Sequence, residues 1–289
     1  MAVLAFAACG KSSDAPPKPA PKPTVAPDAA TVAIPEPDAA PLETTSYDTL
    51  AAAIAATVPE DAKVIGFGEL HARTDRQQVT SALARFTTDA VPTLAPKLSD
   101  LVIETWVVDA KCGTKAAEVT TKVEMSMRRP QATRSEVGEL AETARKAKVQ
   151  PHAMTVTCDD YAKIAPNDTV DPEALLTLAT RELGRLVEAS IKAPSKAGGP
   201  ARTWIAVYGG ALHNDRFPAK GVEDWSYAAK ADAATGDHFV EVDLVVPELA
   251  ATDPASQRQP WFPLVEAAGK QITVWKRGER SFVFVLPKS

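Results

Sequence analysis

The sequence predicts an α/β protein: a mainly parallel sheet with helices on both faces, carried behind a disordered segment. Three observations predict it. Short apolar runs of strand length recur along the chain, and stretches with helical spacing separate them. Such alternation implies parallel strands joined by crossover helices. Residues 11–44 have a different composition, rich in proline and alanine with almost no large apolar side chain. No second linker-like stretch follows, so residues 45–289 are expected to form a single domain.

The elements follow in order. Tyr47–Val58 is alanine-rich with apolar residues near every 3.6 positions and reads as a helix. Lys63–Phe67 (KVIGF) is a short buried strand, and Thr74–Val91 a helix built on Val79, Leu83 and Phe86. Asp100–Trp106 (DLVIETW) is the next strand. The polar stretch from Thr114 to Lys148 suggests one or two surface helices, and Val149–Val156 a third strand. Asp171–Lys192 opens Asp-Pro-Glu, a helix start signal, and is amphipathic. Thr203–Tyr208 and His238–Val246 are further strands. Ile272–Trp275 and Ser281–Leu286 flank Arg277-Gly278-Glu279-Arg280 and read as a hairpin.

The start of the chain carries an address. Met1–Ala8 is wholly apolar, and Cys9-Gly10-Lys11 follows. Small residues before a cysteine resemble the lipobox of bacterial lipoproteins, which implies lipid attachment at Cys9 after signal cleavage. The apolar run is short and has no basic residues before it, so the true start is expected upstream. Residues 1–9 are then the remnant of a signal, and 10–44 a disordered, partly polyproline-II tether. Extended, the tether spans on the order of 100 Å at about 3.1 Å per residue. The expected location is the bacterial cell envelope, with the membrane as a partner through the lipid anchor. With Cys9 lipidated, Cys112 and Cys158 remain as a pair suited to a disulfide in an oxidising compartment; two buried free thiols are the alternative.

Charge excludes one class of partner. The net charge is −5 and no long basic run occurs, so nucleic acid is not expected. No apolar run reaches the 18 residues of a membrane-spanning helix.

Ligands of open parallel sheets bind beyond the carboxyl ends of the strands. There the first strand runs into Gly66-Phe67-Gly68-Glu69-Leu70-His71, the second into Ile103-Glu104-Thr105-Trp106, and the fourth into Gly209-Gly210-Ala211-Leu212-His213. Two imidazoles and one or two carboxylates on one rim can bind a divalent metal or act as a base–acid set. Glycine before each histidine permits a sharp turn and close approach of a ligand. Glu69 either joins this set or caps the helix that follows. Asn214 and Asp215 read as turn or capping residues. Arg73 and Arg216 flank the histidines, and read equally as holders of an anionic group or as solvated side chains. His152 and His238 fall at the opposite strand ends and read as structural.

A Gly-Glu-x-His after the first strand, a Glu after the second and a later Gly-x-x-His resemble the superfamily joining erythromycin esterases, ChaN-like haem-binding lipoproteins and Tiki/TraB proteins. The ChaN-like form is nearest, and the match covers most of residues 60–215. Gly68, Glu69 and His71 match the first motif, Glu104 the family glutamate, and Gly210 and His213 the second motif. The Tiki-like branch implies a metal-dependent hydrolase, with His71, Glu104 and His213 as metal ligands and Glu69 activating water. The ChaN-like branch implies haem binding without catalysis, with His71, His213 or Tyr208 as axial ligand. The ligand is then a small molecule or peptide. Gly66-x-Gly68-x-x-His71 imitates a dinucleotide fingerprint, but its third glycine is missing and Glu104 comes about 36 positions after Gly68 rather than about 20, so NAD is not expected.

Overall fold

The computed structural model describes residues 42–289, except 77, 113–117, 119–120, 124, 126–128 and 167–168. The expectations for Cys9 and for the tether up to residue 41 lie outside the described residues.

The described residues form one mixed sheet. Its strands are β1 (Thr44–Tyr47), β2 (Val64–Glu69), β3 (Leu98–Val108), β4 (Gln150–Val156), β5 (Trp204–Gly210), β6 (Phe239–Val245), β7 (Ile272–Gly278) and β8 (Ser281–Val285). Their order across the sheet is β1-β7-β8-β6-β2-β5-β3-β4. From β8 to β4 all neighbours are parallel. Only β7 runs antiparallel, to β8 and to β1. The class is α/β, as the alternation of strand and helix patterns predicts.

Helices cover both faces. α1 (Leu50–Thr57), α2 (82–94) and α3 (Gln131–Lys146) lie on one side. There Ile54, Phe86, Leu94 and Leu140 pack on Ile65, Phe67, Leu101, Ile103 and Tyr208 of the sheet. α4 (Cys158–Ile164) leads into α5 (Pro172–Lys192), and α6 (Ala211–Asn214) is a single turn after β5. α5 and α7 (Ala228–Thr235) cover the other side, where Leu183, Val187 and Ala231 meet Val64, Val102, Ile205, Val207 and Phe239. α8 (Pro247–Ala250) and α9 (Phe262–Glu266) complete the chain's C-terminal part. Burial of each large apolar side chain here stabilises by about 1.5–3 kcal/mol. β2 is buried along its whole length because both its faces are covered.

Local chemistry fixes the boundaries. The Asp171 carboxylate accepts from the backbone N–H groups of Glu173 and Ala174, and Pro172 occupies the first helical position of α5. α2 does not stop before Pro92. A π turn over Phe86–Ala90 carries it through to Leu94, so the proline heads a new α turn. Cys112, just after β3, is joined to Cys158 at the start of α4, with their Cα atoms 5.6 Å apart.

Candidate functional site

Three neighbouring parallel strands bring the expected residues to one edge. β2 ends at Glu69, level with Gly210 at the end of β5. On the other side of β5, Ile103 of β3 pairs with Tyr208. β3 then bulges: Ile103 pairs with Ala153 of β4, but the next pair is Trp106 with Met154. Glu104 and Thr105 fall in that irregularity, which re-aims the Glu104 side chain as bulges do. The carboxylate folds over β5 because Gly209 has no Cβ; one would lie 2.6 Å from Glu104 Oε2. The backbone N–H of Gly210 donates to the same oxygen at 2.6 Å.

Both imidazoles are turned toward this carboxylate. His71 Nδ1 donates to Glu69 Oε1 at 2.8 Å, leaving Nε2 3.4 Å from Glu104 Oε1. His213 Nδ1 lies 3.0 Å from the Trp225 carbonyl and 2.8 Å from Thr180 Oγ1. A carbonyl only accepts, so Nδ1 carries the proton, and Nε2 faces Glu104 Oε2 at 3.9 Å. The His71 side chain is 26% exposed, whereas that of His213 is 4% exposed.

A cation already stands among them. Arg129 Nη2 is 2.6 Å from His71 Nε2 and donates to Glu104 Oε1 at 2.8 Å, while Nη1 donates to the Glu104 carbonyl at 3.3 Å. A guanidinium can only donate, so with Arg129 seated His71 accepts at Nε2 and is neutral. Burial and Arg129 push the His71 pKa down; Glu104 and Glu69 outweigh them and hold it above the ordinary 6.5. The position beside Nε2 thus takes either the guanidinium or a proton, and the 2.6 Å contact decides for the guanidinium. Burial pushes the Glu104 pKa up, but His71, Arg129 and His213 hold it well below 4.5.

Several expected roles change. Glu69 has both oxygens engaged, Oε1 by His71 and Oε2 by the Tyr208 hydroxyl at 2.6 Å. It orients His71, and each of its oxygens already accepts one hydrogen bond. Tyr208 is buried, its ring centroid 4.7 Å from that of Phe86, and burial together with Glu69 keeps its phenol protonated. It supports Glu69 from the core and does not line a ligand wall. The space at Gly68 is filled from inside: a Cβ there would meet Asp243, Asn214 and the Ala211 backbone. Gly210 does border the cluster, since a Cβ would lie 3.1 Å from His71 Nε2. His71 stays part-exposed, whereas His213 is buried.

The flanking residues sort themselves. Arg73 pairs with Asp75 at the surface. Arg216 is tied to the Phe239 carbonyl and to Asp232. His152 pairs with Asp100 and His238 with Asp61, away from the cluster. Asn214 is buried and its amide nitrogen donates to the Gly66 carbonyl, pinning α6 to β2. Sequence reasoning missed Arg129 and Thr180. Nothing in the polar stretch around Arg129 marks it out.

Among the described residues, no group of three or more His, Cys, Asp or Glu side chains stands in a metal-holding arrangement. The donor types nevertheless suit a divalent ion, namely two imidazole nitrogens and a carboxylate, and the seat between His71 and Glu104 holds a positive charge already. Beside it runs a groove of about 540 Å³ lined by Thr105, Trp106, Met125, Arg129, Arg134 and Val137. Comparison with protein-family models, curated proteins and solved structures finds no match to this chain.

Proposed function

We propose that this chain is a lipid-anchored envelope protein whose strand-end cluster binds a divalent metal ion and hydrolyses a small-molecule or peptide ligand. One observation carries the reading. Each histidine has its Nδ1 tied to a partner, and both Nε2 atoms turn toward the same Glu104 carboxylate. Tying the far nitrogen is how proteins orient metal-ligating imidazoles.

His71, Glu104 and His213 are the residues that would hold the ion. Glu69 fixes the His71 tautomer, and Tyr208 fixes Glu69. The Gly210 N–H steadies one Glu104 oxygen. A bound divalent ion supplies Lewis acidity. Substrate would reach His71 from the Arg129 groove, since His213 lies inside. Haem is the weaker reading. Of its possible axial ligands, Tyr208 and His213 are buried and His71 faces Arg129.

Metal content of the full-length protein after loading with Zn²⁺ or Mn²⁺ tests the proposal. His71→Ala should lose most of the metal at a stability cost of no more than about 1–2 kcal/mol, the usual range for a part-exposed site. Metal content equal to wild type in His71→Ala, or a haem absorption band lost in that variant, would replace the metal reading.

A further inference from the structure

The seat between His71 and Glu104 is charged but poorly completed. Arg129 meets the Glu104 carboxylate through Nη2 alone, and its enclosed Nε has no partner. An arginine built to hold a carboxylate ordinarily uses two nitrogens in a planar fork. The Glu69 and Glu104 carboxylates both lie against His71, and the Arg129 guanidinium is set beside its Nε2.

Arg129 also has somewhere to go. It precedes Pro130, the capping position of α3, and so belongs to connecting backbone rather than to a helix or strand. Its side chain is 11% exposed and lines the groove of about 540 Å³ that runs past Trp106 and Met125. A rotation of the side chain into that groove would clear the seat.

We propose that Arg129 is a built-in competitor for the metal ion: it fills the seat in the metal-free protein and leaves it for the groove when the ion binds. The proposal rests on the metal reading given above and adds the exchange of one cation for another. Metal uptake is then set by a competition inside the protein, and any anionic ligand entering the groove that holds the displaced guanidinium would favour uptake.

Calorimetric titration of the full-length protein with Zn²⁺ alone tests this. Arg129→Gln and Arg129→Ala should bind Zn²⁺ tighter by on the order of tenfold or more, because the ion no longer breaks charge-assisted contacts. Arg129→Lys keeps a charge without the planar fork and should fall between wild type and Gln. It is the variant to rely on if the uncharged ones do not fold. In Arg129→Ala, guanidinium ion well below denaturing concentration should compete with Zn²⁺. Affinity that is unchanged or weaker in the foldable Arg129 variants, while His71→Ala abolishes binding, overturns the exchange and leaves the metal reading standing. Absence of Zn²⁺ binding in wild type and in every Arg129 variant overturns both.

Discussion

Glu104→Gln keeps the side chain's volume and removes its charge, and the loss it causes can be worked from the contacts. The carboxylate side chain is 1% exposed. Its partners are Arg129 Nη2 at 2.8 Å, Gly210 N at 2.6 Å, His71 Nε2 at 3.4 Å and His213 Nε2 at 3.9 Å. The amide that replaces it turns one acceptor into a donor, set against either the Arg129 or the Gly210 N–H. Arg129 is then left nearly buried with no counter-ion in contact. Removing one partner of a buried pair costs about 3–5 kcal/mol. For a domain of this size each kcal/mol moves Tm by about 2–4 °C, so Tm should fall by roughly 6–20 °C. Thermal unfolding at neutral pH measures it. The double variant Glu104→Gln, Arg129→Gln removes both charges and should lose less than the two single variants added together. The sign with pH follows from the lowered Glu104 pKa. Its contribution is present above 4.5 and is lost as pH falls through the depressed native value, so the variant should also be less sensitive to acid. A loss under about 1 kcal/mol, or strict additivity in the double variant, would refute a buried pair at the centre of the cluster.

Two further outcomes are expected. In Gly68→Ala the new Cβ would stand 2.6 Å from Asn214 Oδ1 and 2.7 Å from the Ala211 Cα, a backbone atom that yields little. The variant should lose about 1–3 kcal/mol in urea unfolding, and wild-type stability would show that β2 and α6 do not meet tightly. Asp243 and Asn214 present acceptor oxygens that have no partner, and the Asn214 amide is fixed by its bond to the Gly66 carbonyl. Burial first, then Glu241 and Asp215, raise the Asp243 pKa well above 3.8. Its stabilising contribution is therefore full below 3.8 and lost as pH rises through the native value. Asp243→Asn should flatten that loss and be at least as stable as wild type at pH 8; a destabilised variant at that pH would show that the ionised form is the one the fold uses.

Legibility in the sequence followed burial. β2, β3 and β5 are covered on both faces, so each appears as a continuous apolar run. The β7–β8 hairpin announced itself by two apolar runs around a short charged turn. β1 did not. Its residues, Thr44-Thr45-Ser46-Tyr47, sit on the sheet edge and are mostly exposed, so no hydrophobic pattern marks them. By composition Thr44 falls at the tether's end and Tyr47 at the start of the expected helix. α6, α8 and α9 are too short to show a 3.6-residue period. α2 ran past the expected stop because a π turn accommodates Pro92, and nothing local encodes that turn.

The cluster was legible only as far as strand ends are. Glu69, Glu104 and Gly210 end or interrupt three strands, and a parallel sheet gathers such positions on one edge. What each side chain faces depends on register and on bulges, which depend on the whole sheet. Tyr208 is thus set opposite Phe67 and turned into the core, and Gly68 is set against Asp243. Arg129 shows the limit most clearly, since it lies 25 positions from Glu104 in a polar stretch. A carboxylate buried at a closed sheet edge needs a positive partner to stay ionised, and Glu104 has Arg129 beside the two imidazoles. The strand pattern marks where the carboxylate stands, and only the folded register brings in the guanidinium that answers it.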